Sequence, residues 1–163
     1  MITEKLKFKG SLDITLFNPD GSIKEEQHVP NLVVDPGLAW IIARMKGDLN
    51  TTGANPVGGV AVMTHMGIGT SVTATADAQT ALIAAHADGR KVLDSTTIAT
   101  TTVANDTLTY VATFQAGFST GAITEAGIFN AATVGTMLCR TVFSVVNKGA
   151  LDSMVITWKV TAA

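Results

Sequence analysis

Charged side chains supply only 15% of this 163-residue chain, against roughly a quarter in ordinary soluble domains. No basic block occurs and the formal net charge is −2, which argues against a groove that neutralises phosphates. Cysteine is almost absent. The single Cys139 excludes an intrachain disulfide and a multi-cysteine zinc site. Aromatic residues reach only 6%, too few to spare for a stacking platform. No apolar run approaches the roughly 18 residues that a membrane helix needs, and the opening MITEKLKFKG alternates charges without the apolar stretch of a secretion leader. Hydrophobic residues nevertheless make up 47%. They are dispersed, as expected of one domain over 1–163 with a real core. So little charge suits a surface that is partly buried between subunits, although abundant Ala, Val and Thr also accounts for it.

The strongest pattern is at 121–163, where three β-rich runs are separated by linkers at 131–134 and 147–150. If each linker closes an antiparallel hairpin, the register follows by counting outward. Ile128 then faces Met137, Ala126 faces Cys139 and Glu125 faces Arg140. In the second hairpin Phe143 faces Met154 and Cys139 faces Trp158. One face becomes a core of Ala126, Ile128, Met137, Cys139, Phe143, Met154, Ile156, Trp158 and Val160. The other mixes Glu125, Arg140 and Lys159 with Ile123, Phe129, Leu138, Val142 and Val155. A solvated face is cleaner than that, so this one is expected to be covered by the chain itself or by another copy. Glu125 and Arg140, among apolar neighbours, are expected to be paired.

EAGIF, then GTMLCR, then VITWKV at the terminus resemble a recurring pattern in small structural proteins of tailed-phage particles. NLVVDPGLAWIIARM, then MGIGTS, then TAL and Arg90, occur upstream in the order such proteins show. The resemblance implies a structural place in the virion, cement- or decoration-like or tail-associated. It carries over no catalytic residue, because the pattern includes none.

Earlier in the chain, Leu6, Phe8, Leu12, Ile14 and Leu16 alternate as in a half-buried strand, with a bulge expected at Gly10. Asn18-Pro19-Asp20-Gly21 signals a type I turn, and SIKEEQHV returns as a polar strand. This N-terminal hairpin over 1–30 is expected at a sheet edge or as an arm. Asp35-Pro36-Gly37 opens a short helix over about 36–46, with Leu38, Ile41, Ile42 and Met45 as its buried face. Residues 47–59 have loop composition, and Val60 to Ile68 reads as a strand. A helical turn is expected over 77–85. Residues 91–103 and 107–119 form a hairpin about the turn at 104–106.

About eight strands and one helix point to an all-β fold. It is expected to be an antiparallel two-sheet β-sandwich, jelly-roll-like. The pair Gly67 and Gly69 lacks the third glycine and the βαβ context of a nucleotide loop. His28, His65 and His86 are scattered, without metal-ligand spacing. Asp13, Asp20, Glu25 and Glu26 read as solvated charges rather than a calcium loop. No catalytic, cofactor or metal residue is assigned. The expected interface residues are Asn50, Thr51, Thr52 and Asn55 in the long loop, with Ile123, Glu125, Phe129, Leu138, Arg140 and Val142 on the mixed sheet face. The expected function is a non-enzymatic protein on the capsid exterior, assembled in the host cytoplasm. It would be a dimer or trimer that binds the major capsid protein or another virion subunit, with neither nucleic acid nor membrane as partner. The alternative is a tail-tip, baseplate or fibre module, structural or receptor-binding.

Overall fold

A computed structural model describes residues 8–45 and 61–162. Nine strands and one helix follow in order: β1 (Phe8–Phe17), β2 (Ile23–Val33), α1 (Asp35–Met45), β3 (His65–Gly69), β4 (Lys91–Val92), β5 (Ser95–Ala99), β6 (Thr107–Phe114), β7 (Gly121–Phe129), β8 (Met137–Lys148) and β9 (Ser153–Ala162). The fold is all-β, and every strand pairing is antiparallel. The strands form one curled sheet in the order β4-β3-β7-β8-β2-β1-β9-β6-β5.

Two stretches of chain, β2 and the run from β4 to β5, carry it from one limb into the other. β2 pairs with β1 through most of its length, but its last residues, Leu32 and Val33, pair with Arg140 and Cys139 of β8. The two ends of the strand order, β4 and β5, are separated in the chain only by Leu93 and Asp94. The Leu93 amide donates to Thr64 O at 2.9 Å and the Asp94 amide to Val111 O at 2.8 Å, one bond to each limb. A sheet that curls in this way encloses its apolar side.

Alternation along β1 behaves as expected, with Leu12, Ile14 and Leu16 fully buried. They share one core with Tyr110, Phe114, Met154, Ile156 and Trp158 from their own limb and with Met66, Ile68, Ile123, Ile128, Cys139 and Phe143 from the other. Cys139 is buried, and burial drives its thiol pKa far above the ordinary value. β1 is an interior strand between β2 and β9. Gly10 makes no bulge there. It pairs in regular register with Asn31 and Val160, and a Cβ on it would fall 1.6 Å from Asn31 Oδ1, so the glycine makes room for that side chain.

The C-terminal registers differ from those obtained by counting. β8 and β9 are not neighbours: β8 lies between β7 and β2, and β9 between β1 and β6. The turn between them is closed by the Gly149 amide on the Asp152 carboxylate and the Asp152 amide on Gly149 O. It sends the chain across the core to the other limb. Cys139 and Trp158 therefore belong to one core from opposite limbs rather than pairing side by side, which the same alternation of apolar residues serves equally well. Within β7–β8, Ile128 pairs with Cys139 and Gly127 with Arg140, and the register shifts at both ends. The shift beside Met137 turns both Leu138 and Cys139 inward, so Leu138 belongs to the core and not to the mixed face. Ile123 joins the same core.

α1 is rolled relative to the expected stripe. Trp40 and Ile41 pack on the core, whereas Leu38 and Ile42 are 40% and 58% exposed. Gly37 decides this. A Cβ there would lie 2.2 Å from Leu138 O, so the helix backbone rests directly on β8, and positions three and four residues on follow it inward. The strand expected over 60–68 is shorter, β3 covering only its last part. The hairpin expected over 91–119 forms only as β5–β6, between Ser95–Ala99 and Thr107–Phe114, while Lys91 and Val92 pair with β3 instead. The hairpin loop is gathered on Asp106. That carboxylate accepts the amides of Thr101, Thr102 and Val103 and the hydroxyls of Thr101 and Thr107.

These bonds favour the carboxylate and hold Asp106 well below its ordinary pKa of 3.8. A depressed folded-state pKa contributes stability above the unfolded value, and that contribution is lost as pH falls through the folded one. We expect the denaturant midpoint of the wild-type chain to fall on acidification below about pH 4, and Asp106→Asn to show a shallower fall. Parallel slopes for the two proteins would mean that the loop bonds do not depend on the charge.

Candidate functional site

The mixed face of β7 and β8 is covered by the chain itself. Residues 70–90, between β3 and β4, run across it as an irregular strap and contain no helix; their one ladder contact is the bridge Gly69–Ala85. The helical turn expected over 77–85 is absent because these amides are bonded outward. Ala84 and Ile83 donate theirs to the Glu125 carboxylate at 2.7 and 3.2 Å.

Glu125 and Arg140 are the fasteners. They sit diagonally rather than opposite, since Arg140 pairs with Gly127, and both side chains are fully buried. Arg140 Nε and Nη2 each lie 2.8 Å from Glu125 Oε2. The rest of the guanidinium faces the strap: Nη1 donates to Gln79 Oε1 at 2.9 Å and Nη2 to Thr73 O at 3.0 Å. Gln79 Oε1 also accepts the Ala76 amide. Thr124 adds a bond to Ser71 O, and the Asp77 carbonyl accepts the amide of Asp35 at the start of α1. A desolvated ion pair is tolerable only when its remaining donors and acceptors are used. Here the strap backbone and the Gln79 side chain use them.

Small residues let the strap approach. A Cβ on Gly69 would lie 2.3 Å from Ala84 O and 2.6 Å from Glu125 Oε1, and Cβ atoms on Gly67 and Gly127 would press on Leu82. Leu82 packs with Val34, Phe129 and Met137 in a second small core. At the strap's end the Arg90 guanidinium lies over the Phe129 ring at 3.5 Å and donates from Nη1 to Ala131 O and Val134 O at 2.8 and 2.7 Å. Burial draws Arg90 below its usual pKa, and burial, then the Arg90 charge, lowers that of His65.

Of the ten expected interface residues, Asn50, Thr51, Thr52 and Asn55 lie outside the described residues. Ile123, Glu125, Phe129, Leu138 and Arg140 are buried within the protomer, and Val142 is half-buried. None of these six is presented to a partner as an exposed side chain. Sequence reasoning missed Thr73, Gln79, Leu82, Ile83 and Ala84. Their only signal is the spacing of Gly67 and Gly69 ahead of Thr80-Ala81-Leu82 and Arg90.

A serine, a histidine and an aspartate do come together near Ser119, without forming a relay. His86 Nε2 faces Thr120 O at 3.1 Å, and its Nδ1 accepts the Asp88 amide at 3.3 Å. Asp88 itself accepts the Ser119 amide. With both ring nitrogens on backbone groups, no base faces the Ser119 hydroxyl. Lys148, buried nearby, donates to Gln115 O at 2.9 Å, and burial pulls its pKa down against the opposing pull of Asp152 and Asp88. Among the described residues no group of three or more metal-ligating side chains gathers. Comparison with protein-family models, curated proteins and solved structures gives no match.

The fastener predicts non-additive energetics. Glu125→Leu and Arg140→Met should each cost on the order of 3 kcal/mol, because each strands the other charge, and the double variant should cost much less than their sum. Denaturant titration of the four proteins checks it, with limited proteolysis reporting early cleavage within 70–90 in the single variants. A coupling near zero would remove the ion pair from its fastening role.

Proposed function

We propose that this chain is a non-enzymatic structural virion protein of a tailed phage, a cement or decoration protein that binds neighbouring capsid subunits and stabilises the head. One observation carries the reading: of the segments that resemble phage structural proteins, all but VITWKV, which lies in β9 on the other limb, converge on a single piece of architecture. EAGIF contributes Glu125 and Phe129, GTMLCR contributes Met137 and Arg140, MGIGTS contributes Gly67, Gly69 and Ser71, TAL contributes Leu82, and Arg90 follows. NLVVDPG contributes Val34, whose amide donates to Leu138 O, and Gly37 against the same carbonyl. A pattern spent on holding a strap to a sheet belongs to a building element rather than to a reaction centre.

In this reading the two limbs work as the layers of a jelly-roll-like sandwich, stiffened by the strap. Association with a second copy or with the capsid lattice falls to the exposed surface. Several large apolar side chains stand there without cover in the protomer, among them Ile98, Val103, Val134 and Leu151. The low charge of the chain removes the usual electrostatic barrier to such contacts.

The reading is tested on particles. Purified chain added to phage heads that lack it should cosediment with them and raise the temperature at which they release DNA. Binding to isolated tails with none to heads would move the protein to the tail and retire the decoration role.

A further inference from the structure

We propose that the cavity between the strap and the turn at 131–135 is a binding site for a carboxylate borne on a short apolar group, held by the unspent edge of the Arg90 guanidinium. The cavity measures about 240 Å³. Gly67, Ile68, Leu82 and Phe129 form its inner wall, and the exposed Ala81, Ala85, Gly89 and Ala132 form its rim. Among the described residues that line it, Arg90 carries the only charge and Thr133 the only other polar side chain.

The donors of Arg90 are spent unevenly. Nη1 serves both carbonyls of the turn, Ala131 O and Val134 O. Among the described residues Nε and Nη2 have no acceptor, and no carboxylate lies within ion-pairing distance of the guanidinium. These two nitrogens form one edge of a planar fork, and that edge matches a carboxylate through two parallel hydrogen bonds. Arg140 supplies the internal comparison. Its Nε and Nη2, each 2.8 Å from Glu125 Oε2, are spent on a carboxylate of the chain itself. Arg90 presents the same edge with its charge unpaired. Because Nη1 is tied to the turn and the guanidinium lies on the Phe129 ring at 3.5 Å, the fork is set before a ligand arrives.

The walls choose the rest of the ligand. A well-held water needs about two to four polar partners, and walls of alanine, leucine, isoleucine and phenylalanine offer few. An apolar group gains affinity by displacing such water. The volume exceeds the roughly 150 Å³ at which an apolar cavity accepts benzene, so a group of about four to six carbons fits. One cation with two aligned donors suits a monoanion, whereas a phosphate would keep charge and acceptors unmatched. Gly67 keeps the space open, since a Cβ there would stand 3.2 to 3.3 Å from Leu82, Arg90 and Phe129. A free short-chain acid and the apolar C-terminal residue of another polypeptide both present this chemistry.

The site goes beyond the assembly reading and does not depend on it. Titration of the full chain with isovalerate, followed by amide NMR, should give saturable shifts at Ala81, Ala85, Gly89 and Ala132 with a roughly millimolar dissociation constant. Isovaleramide, the neutral analogue of the same shape, should bind about tenfold more weakly or worse. Ala132→Leu, which fills the rim and leaves the Arg90 side chain unaltered, should abolish the saturable shifts at an unchanged melting temperature. Arg90→Lys, which keeps the charge and loses the fork, should weaken binding by about tenfold or more. N-acetylglycyl-valine separates the two sources: binding at least as tight as that of isovalerate assigns the site to a polypeptide end, and weaker binding assigns it to a free acid. No saturable shift at about 50 mM isovalerate, far above a millimolar constant, overturns the proposal. So do equal binding of acid and amide, or an Ala132→Leu variant that binds like the wild type. If Arg90→Lys fails to fold, the amide and Ala132→Leu results decide. A chain that binds isovalerate and no phage particle keeps this site and refutes the assembly reading alone.

Discussion

A buried carboxylate and a buried guanidinium have to satisfy each other and every remaining donor and acceptor they carry, and this chain is arranged around that requirement. Glu125 and Arg140 leave the strand face with unused hydrogen-bonding capacity, and β-sheet neighbours cannot supply it, because their amides and carbonyls are spent in the ladder. A segment with free backbone groups can. Residues 70–90 have such groups because they form neither helix nor strand, and they reach the pair because Gly67, Gly69 and Gly127 carry no side chains in the way. Ion pair, irregular strap and glycines are three parts of one solution.

The same economy curls the sheet. An open antiparallel sheet of nine strands would leave two edges and one greasy face. Here the ends of the strand order are consecutive in the chain, so a single run, 91–99, passes from one limb to the other, as β2 does on the opposite side. A core fed by both limbs follows. It demands inward side chains from every long strand, which is why apolar alternation is so marked in β1, β6 and β9.

Much of this was legible residue by residue. Leu12, Ile14 and Leu16 declared an inward face, Asn18 to Gly21 a turn, Cys139 a core position, and Glu125 with Arg140 a pair on a face too apolar to be wet. The miscounted registers have a common cause. Counting outward from 131–134 assumes that no residue is skipped, and the shift beside Met137 breaks that assumption. Counting outward from 147–150 assumes that consecutive strands are neighbours, and here the chain crosses the core instead. The buried stripe of α1 was misjudged because hydrophobicity favoured Leu38 and Ile42, whereas a close backbone approach at Gly37 set the roll.

By itself the sequence determined which residues turn inward, where the chain bends, and that one sheet face needed a cover, since alternation, turn chemistry and the cost of a lone buried charge act within a few residues. Only the tertiary structure decided which strand lies beside which, that the cover is the chain's own strap, and that Val134 stands at a strained, exposed tip. Those outcomes depend on pairings between residues far apart in the chain, and a pattern of faces is satisfied alike by neighbours in a sheet and by partners across a core.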